Sequence, residues 1–236
     1  MRFRTFVGGL AIVVIGLVVA PASSQATTLL DLFSGDSITI DEGGGVSKVF
    51  NNFVLSGSGG TNLLNPADIS VSISPNPPTG EVGLLFTISS GGEFGAELGA
   101  GITADLGFSF EVHCIGCLLH DNTLLISGSS SGDGLVILSE QVLDLTTLGN
   151  LANKLVFFTS DLSFPLDHQV FSSDSTDIII FKGLSIDGGT GDSSLAFVSD
   201  FSQTFSQTAV PGPATLLLIG AGLVAVGVIG RKRRNR

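Results

Sequence analysis

The stretch ADISVSIS alternates apolar and polar residues from Ile69 to Ser74. A period of two is the mark of a strand with one face on a core and one face in water. LGFSFEVHC repeats the pattern and puts Leu106, Phe108, Phe110 and Val112 on one face. VGLLFTISS predicts a strand from Val82 to Ser89, and NKLVFFTS, DIIIFKGLSI and SLAFVSDFSQTF predict three more. TLLISGSSSGDGLVILSEQVL reads as two strands about a Gly/Ser/Asp loop, a hairpin by composition. The stretch from Leu29 to Leu55 is expected to add the first strands, and Leu145–Ala152 a short helix. Pro75, Pro77 and Pro78 fix φ and withhold donors, so no ladder passes through them. Many short strands, Gly-rich turns and no long helical period predict an all-β body, an antiparallel β-sandwich or jelly-roll. Roughly 180 residues suffice for one core of this kind.

Both ends break the pattern. Arg2 and Arg4 precede an apolar stretch from Phe6 to Val19, and small residues follow it. That is the three-part form of a secretory signal peptide, expected over residues 1–26 with signal peptidase cutting before Thr27. At the other end, the apolar run 214–230 carries no charge. As a helix it extends roughly 25 Å, the lower limit for crossing a bilayer core. Arg231, Lys232, Arg233, Arg234 and Arg236 follow as a stop. Positive charge favours the cytoplasmic side, which places residues 27–209 outside the inner membrane. The expected domains are therefore 1–26, the extracytoplasmic body 27–209, and a C-terminal segment 210–236.

Charge narrows the partners. All 21 acidic residues lie in the body, where Lys48, Lys154 and Lys182 are the only basic ones. The body's net charge is about −18, against −11 for the whole chain. Such a body repels nucleic acid and anionic lipid. The chain has 17 Phe and neither Trp nor Tyr, which removes the usual stacking platform of a sugar-binding face.

The candidate chemistry is sparse. HCIGCLLHD gathers His113, Cys114, Cys117, His120 and Asp121 within nine residues. Three readings stay open: a disulfide in an oxidising compartment, a metal site using thiolates and imidazoles, and a redox pair. A structural Cys114–Cys117 disulfide leads, and no residue is assigned to a metal. GSSSG around Ser130 matches a nucleophile-elbow pattern, but a strand follows it where an elbow requires a helix. His168 is the third histidine, and nothing in the spacing links it to Ser130. DGGTGD at Asp187–Asp192 reads as a solvated turn, with calcium at most an adventitious ion, and DEGGG at Asp41–Gly45 as a turn. No cofactor is expected.

Val210, Pro211, Gly212 and Pro213, the apolar run to Gly230 and the basic tail together resemble the PEP-CTERM sorting signal of exopolysaccharide-producing Gram-negative bacteria. The resemblance covers about 27 residues. The family signature has Glu between the prolines, where this chain has Gly212. The resemblance implies export by the Sec translocon and anchoring in the inner membrane by the C-terminal helix. It further implies processing near the Pro-x-Pro motif by an exosortase, a membrane-embedded cysteine transpeptidase, with release or transfer at the cell surface. It concerns sorting and assigns no activity to the body. The leading expectation is a non-enzymatic protein of the cell envelope or polysaccharide matrix. The alternative is a secreted carbohydrate-binding module that contacts matrix polysaccharide, and a secreted hydrolase stands behind both.

Overall fold

A computed structural model describes residues 26–74, 81–90 and 93–210. The expected signal segment up to residue 25, the proline loop 75–80 and the C-terminal segment from Pro211 onward lie outside the described residues. Among the described residues no helix is long and apolar enough to cross a membrane.

In chain order the first strands are β1 (Thr27–Thr28), β2 (Ile38–Gly43), β3 (Val46–Gly60), β4 (Ile69–Ile73), β5 (Val82–Ser90), β6 (Glu93–Phe94) and β7 (Ala96–Gly99). The long strands β8 (Thr103–Ile115), β9 (Cys117–Ser131), β10 (Leu135–Asp144) and β11 (Asn150–Phe158) follow. The last are β12 (Ser163–Phe164), β13 (Leu166–Ser175), β14 (Asp177–Asp187) and β15 (Leu195–Ala209). They form two antiparallel sheets. The first runs β1-β4-β5-β15-β9-β13, with β6 and β7 on β5 and β15; the second runs β12-β11-β10-β14-β8-β3-β2.

The sheets share one core. Leu106, Phe108, Phe110 and Val112, the predicted face of β8, are at most 1% exposed. Phe86 of the first sheet meets Phe108 of the second at 5.7 Å, and Phe205 meets Phe50 at 6.0 Å. Phe86 stacks on Phe201 at 4.6 Å within its own sheet. Each fully buried Phe contributes roughly 1.5–3 kcal/mol by burial. Phenylalanine thus supplies the aromatic packing of the sandwich, with no ring hydroxyl or indole N–H to satisfy.

Three expectations needed correction. β9 and β10 are not a hairpin: β9 pairs with β15 and β13, and β10 pairs with β14 and β11 in the opposite sheet. The loop between them crosses the sandwich edge. Residues 145–152 do not form a helix, because Asp144 Oδ1 accepts from the Thr146 and Thr147 amides at 3.0 and 2.7 Å and closes a turn. Leu148 then takes φ +56, and β11 starts at Asn150. A helix forms instead at Leu29–Phe33, where a strand was expected. A reciprocal capping box between Thr28 and Asp31 starts it, and Leu29 and Leu32 are buried.

Candidate functional site

Every lysine of the body is inside. Lys48, Lys154 and Lys182 are 0%, 4% and 4% exposed. Among the described residues no basic side chain other than histidine reaches solvent, so the surface charge is acidic throughout. Lys154 and Lys182 flank Glu140 across the register of β11, β10 and β14, on the inner face. Lys154 Nζ lies 2.9 Å from Glu140 Oε1, and Lys182 Nζ lies 2.5 Å from Oε2. Asn122 of the facing sheet donates to Glu140 Oε1 at 2.7 Å and accepts from Lys154. Burial pushes the Glu140 carboxyl up, but the charges of Lys182 and Lys154 outweigh it and hold the group down at about 2. Burial also lowers Lys182, opposed by Glu140. Lys48 is likewise lowered by burial and donates to Glu42 at 2.6 Å, to the Phe205 carbonyl at 3.3 Å and to Gln207.

The HCIGCLLHD stretch is a corner where the chain passes from one sheet to the other. Gly116, at φ +72, is the single residue between β8 and β9. A Cβ there would stand 2.4 Å from the Gly45 carbonyl oxygen, so only glycine fits. Cys114 and Cys117 are joined by a disulfide across this corner, with Cα atoms 5.3 Å apart. Neither sulfur is then a free thiolate able to ligate a metal. The two histidines point to different acids. His113 Nδ1 lies 2.7 Å from Asp177 and its Nε2 3.3 Å from Glu111, while His120 Nδ1 lies 2.7 Å from Asp174. The Asp174 hydrogen bond raises the His120 pKa.

The other sequence candidates are structural. Ser130 lies inside β9 opposite Ala196, and its buried hydroxyl has no hydrogen-bond partner. Because Ser130 Oγ contacts no histidine among the described residues, it takes part in no Ser-His-Asp arrangement there. The Asp187–Asp192 loop wraps a carboxylate, not a cation. Asp133 accepts from the Thr190 amide at 3.0 Å, the Gly191 amide at 3.2 Å, the Thr190 hydroxyl at 2.5 Å and Ser194 Oγ. Those donors, Ser194 first and Thr190 next, hold Asp133 well below the usual carboxylate range. Gly43, Gly44 and Gly45 all take positive φ in the β2–β3 turn, and Asp41 accepts from the Gly43 amide at 2.8 Å.

Sequence reasoning missed a polar row on the outer face of the first sheet. His168 of β13, Thr123 of β9 and Thr204 of β15 stand in one transverse register, and Glu81 precedes β5 beside them. Glu81 Oε2 accepts from Thr204 Oγ1 at 3.0 Å and from Thr123 Oγ1 at 3.3 Å. Thr123 Oγ1 lies 2.9 Å from His168 Nδ1. Asp121, two residues before Thr123, accepts from the Ser206 amide at 3.3 Å. One ligand atom from each of Glu81, Asp121 and His168 lies within 4.8 Å of the others. The residues are about 40 positions apart in sequence, and only the pairing of four strands assembles them.

No family model matches the chain, and no curated protein matches it. Among solved structures, it resembles the enzymatically active domain of bacteriophage CBA120 tailspike protein 4 at TM-score 0.28 and 12% identity. That match covers 66% of this chain, which spans about a fifth of the tailspike chain, 19%. TmCBM61 in complex with β-1,4-galactotriose matches at TM-score 0.32 and 16% identity, covering 66% of this chain and 89% of that one. The family 11 carbohydrate-binding module from Clostridium thermocellum, in complex with a β-1,3-1,4-mixed-linked tetrasaccharide, matches at 0.26 and 9%, covering 75% and 96%.

Proposed function

We propose that this chain is an exported, non-catalytic protein of the cell envelope or polysaccharide matrix. Its β-sandwich is held at the inner membrane by the C-terminal segment and then processed by an exosortase near Val210–Pro213. One observation carries this reading. β15 stays paired with β9 up to Ala209, opposite Cys117, and the Val210 amide donates to the Gly116 carbonyl at 2.9 Å. The last described strand thus reaches the residue before the motif, and Pro211 and Pro213, which have no amide N–H to donate to a ladder, follow in the sequence. The acidic surface fits a soluble body in an aqueous space outside the inner membrane. Replacing Pro211 and Pro213 together with Ala tests the reading. The variant is expected to stay in the membrane fraction while the parent chain reaches the surface or medium. Equal release of both removes the exosortase from the account.

A second reading, a carbohydrate-binding module, is favoured by the outer face of the first sheet. Ser70, Ser72, Thr87 and Ser202 lie on that face by register, beside Asp200. It offers hydroxyls and carboxylates to sugar hydroxyls and, with no exposed lysine or arginine, suits a neutral glycan. Retention of the chain in gels cast with neutral polysaccharide, lost when Asp200 is replaced by Ala, is the result expected. Free migration in every such gel excludes this reading.

A further inference from the structure

We propose that Glu81, Asp121 and His168 form a divalent-cation site of the zinc class on the outer face of the first sheet. The inference is independent of the sorting tail and of glycan binding. Three observations converge on it. First, the donor set mixes one imidazole with two carboxylates. All three ligand atoms lie within 4.8 Å of one another, a span that one ion with bonds of roughly 2.0–2.2 Å can fill. Second, the histidine is oriented for the task. Thr123 Oγ1 donates to Glu81 Oε2 at 3.3 Å and lies 2.9 Å from His168 Nδ1. With the ring proton on Nδ1, that nitrogen donates to Thr123 and Nε2 keeps its lone pair for a metal. A partner holding one ring nitrogen is the arrangement that orients a metal-ligating imidazole by the other.

Third, Asp121 is a buried carboxyl group with no ion-pair partner among the described residues. It is 8% exposed, and its one hydrogen bond is a 3.3 Å contact from a backbone amide to Oδ1. Oδ2 accepts from no described group. A second carboxylate, Glu81, stands beside it, and two like charges at this distance oppose each other. Lys48 lies near enough to feel the Glu81 charge, but its ammonium is bonded to Glu42, the Phe205 carbonyl and Gln207 and forms no ion pair with either ligand carboxylate. The exposed His168 ring leaves a path for an ion from solvent. A mixed imidazole–carboxylate set favours zinc over calcium, which prefers oxygen ligands alone and more of them. An ion here would tie β5, β9 and β13 together across β15 and keep a coordination position open to solvent.

Equilibrium dialysis of the full chain in detergent against zinc chloride tests the site, with bound metal read by atomic emission. One zinc per chain with a dissociation constant in the micromolar range is the result expected. His168→Ala and Asp121→Asn are each expected to weaken it at least about tenfold. His120→Ala removes a histidine bound to Asp174 and is expected to leave affinity unchanged. Zinc is also expected to raise the thermal midpoint of the parent chain and not that of His168→Ala, a comparison that stands even if Asp121→Asn folds poorly. No saturable zinc binding below millimolar concentration overturns the proposal. So does equal loss in His120→Ala, or tighter binding of calcium than of zinc.

Discussion

Replacing Glu140 with Gln leaves two buried ammonium groups facing each other across an amide. Glu140 is in contact with both Lys154 and Lys182, and the three side chains are shut off from water. Breaking a buried ion pair by removing one partner costs about 3–5 kcal/mol, because the remaining charge is buried and unpaired. Proton linkage gives a similar size. The Glu140 carboxyl titrates at about 2 in the folded chain against an ordinary 4.5. At about 1.36 kcal/mol per pH unit, that gap is worth roughly 3 kcal/mol. The folded value is the lower one, so this contribution is complete above about pH 4.5 and is lost as pH falls towards 2. Urea unfolding of the disulfide-intact chain at neutral pH is expected to show Glu140→Gln destabilised by about 3–5 kcal/mol. Its acid slope between those two pH values should be flatter than that of the parent. The quadruple variant Glu140→Leu, Lys154→Met, Lys182→Met, Asn122→Leu, which also removes the amide bonded to Glu140 and Lys154, is expected to recover most of the loss, since well-packed apolar replacements of buried charges are often neutral. A loss below about 1 kcal/mol in the single variant refutes the buried-charge account.

The corner makes its own prediction. Gly116→Ala forces a Cβ to 2.4 Å from a backbone oxygen at a positive φ. It is expected to cost about 2 kcal/mol or more by denaturant unfolding, whereas Gly99→Ala, which meets nothing within 4 Å, is expected to cost less. The buried lysines predict that amine-reactive reagents leave Lys48, Lys154 and Lys182 unmodified in the folded chain and modify all three in urea. Rapid labelling of any of them under native conditions contradicts their burial, and peptide mass mapping reads the outcome.

The sequence announced the strands whose two faces differ. β8 alternates cleanly because Leu106, Phe108, Phe110 and Val112 meet the core while their neighbours do not. Alternation does not say which sheet a strand joins, and that is why β9 and β10 read as a hairpin. Their loop is polar and glycine-rich for a different purpose: Asp133 collects the donors of the distant Thr190–Ser194 loop. Nothing local marks the lysines as buried: along the chain Lys154 and Lys182 are single charges on strands. Their burial depends on Glu140 standing between them in the register of three strands, which no local pattern records. The Glu81–Asp121–His168 set was illegible for the same reason. Of its members only Asp121 and His168 drew notice, each as part of a different local question. The Cys114–Cys117 spacing was legible because three residues apart about a glycine is a local geometry.

The central claim is that the chain is cut at the sorting motif, Val210–Pro213. Intact mass spectrometry of the chain recovered from envelope and medium decides it. The account predicts a released form starting at Thr27 and ending within Pro211–Ala214, without the basic tail. A mass that retains Arg231–Arg236 in every fraction contradicts processing and leaves the C-terminal segment as a permanent anchor.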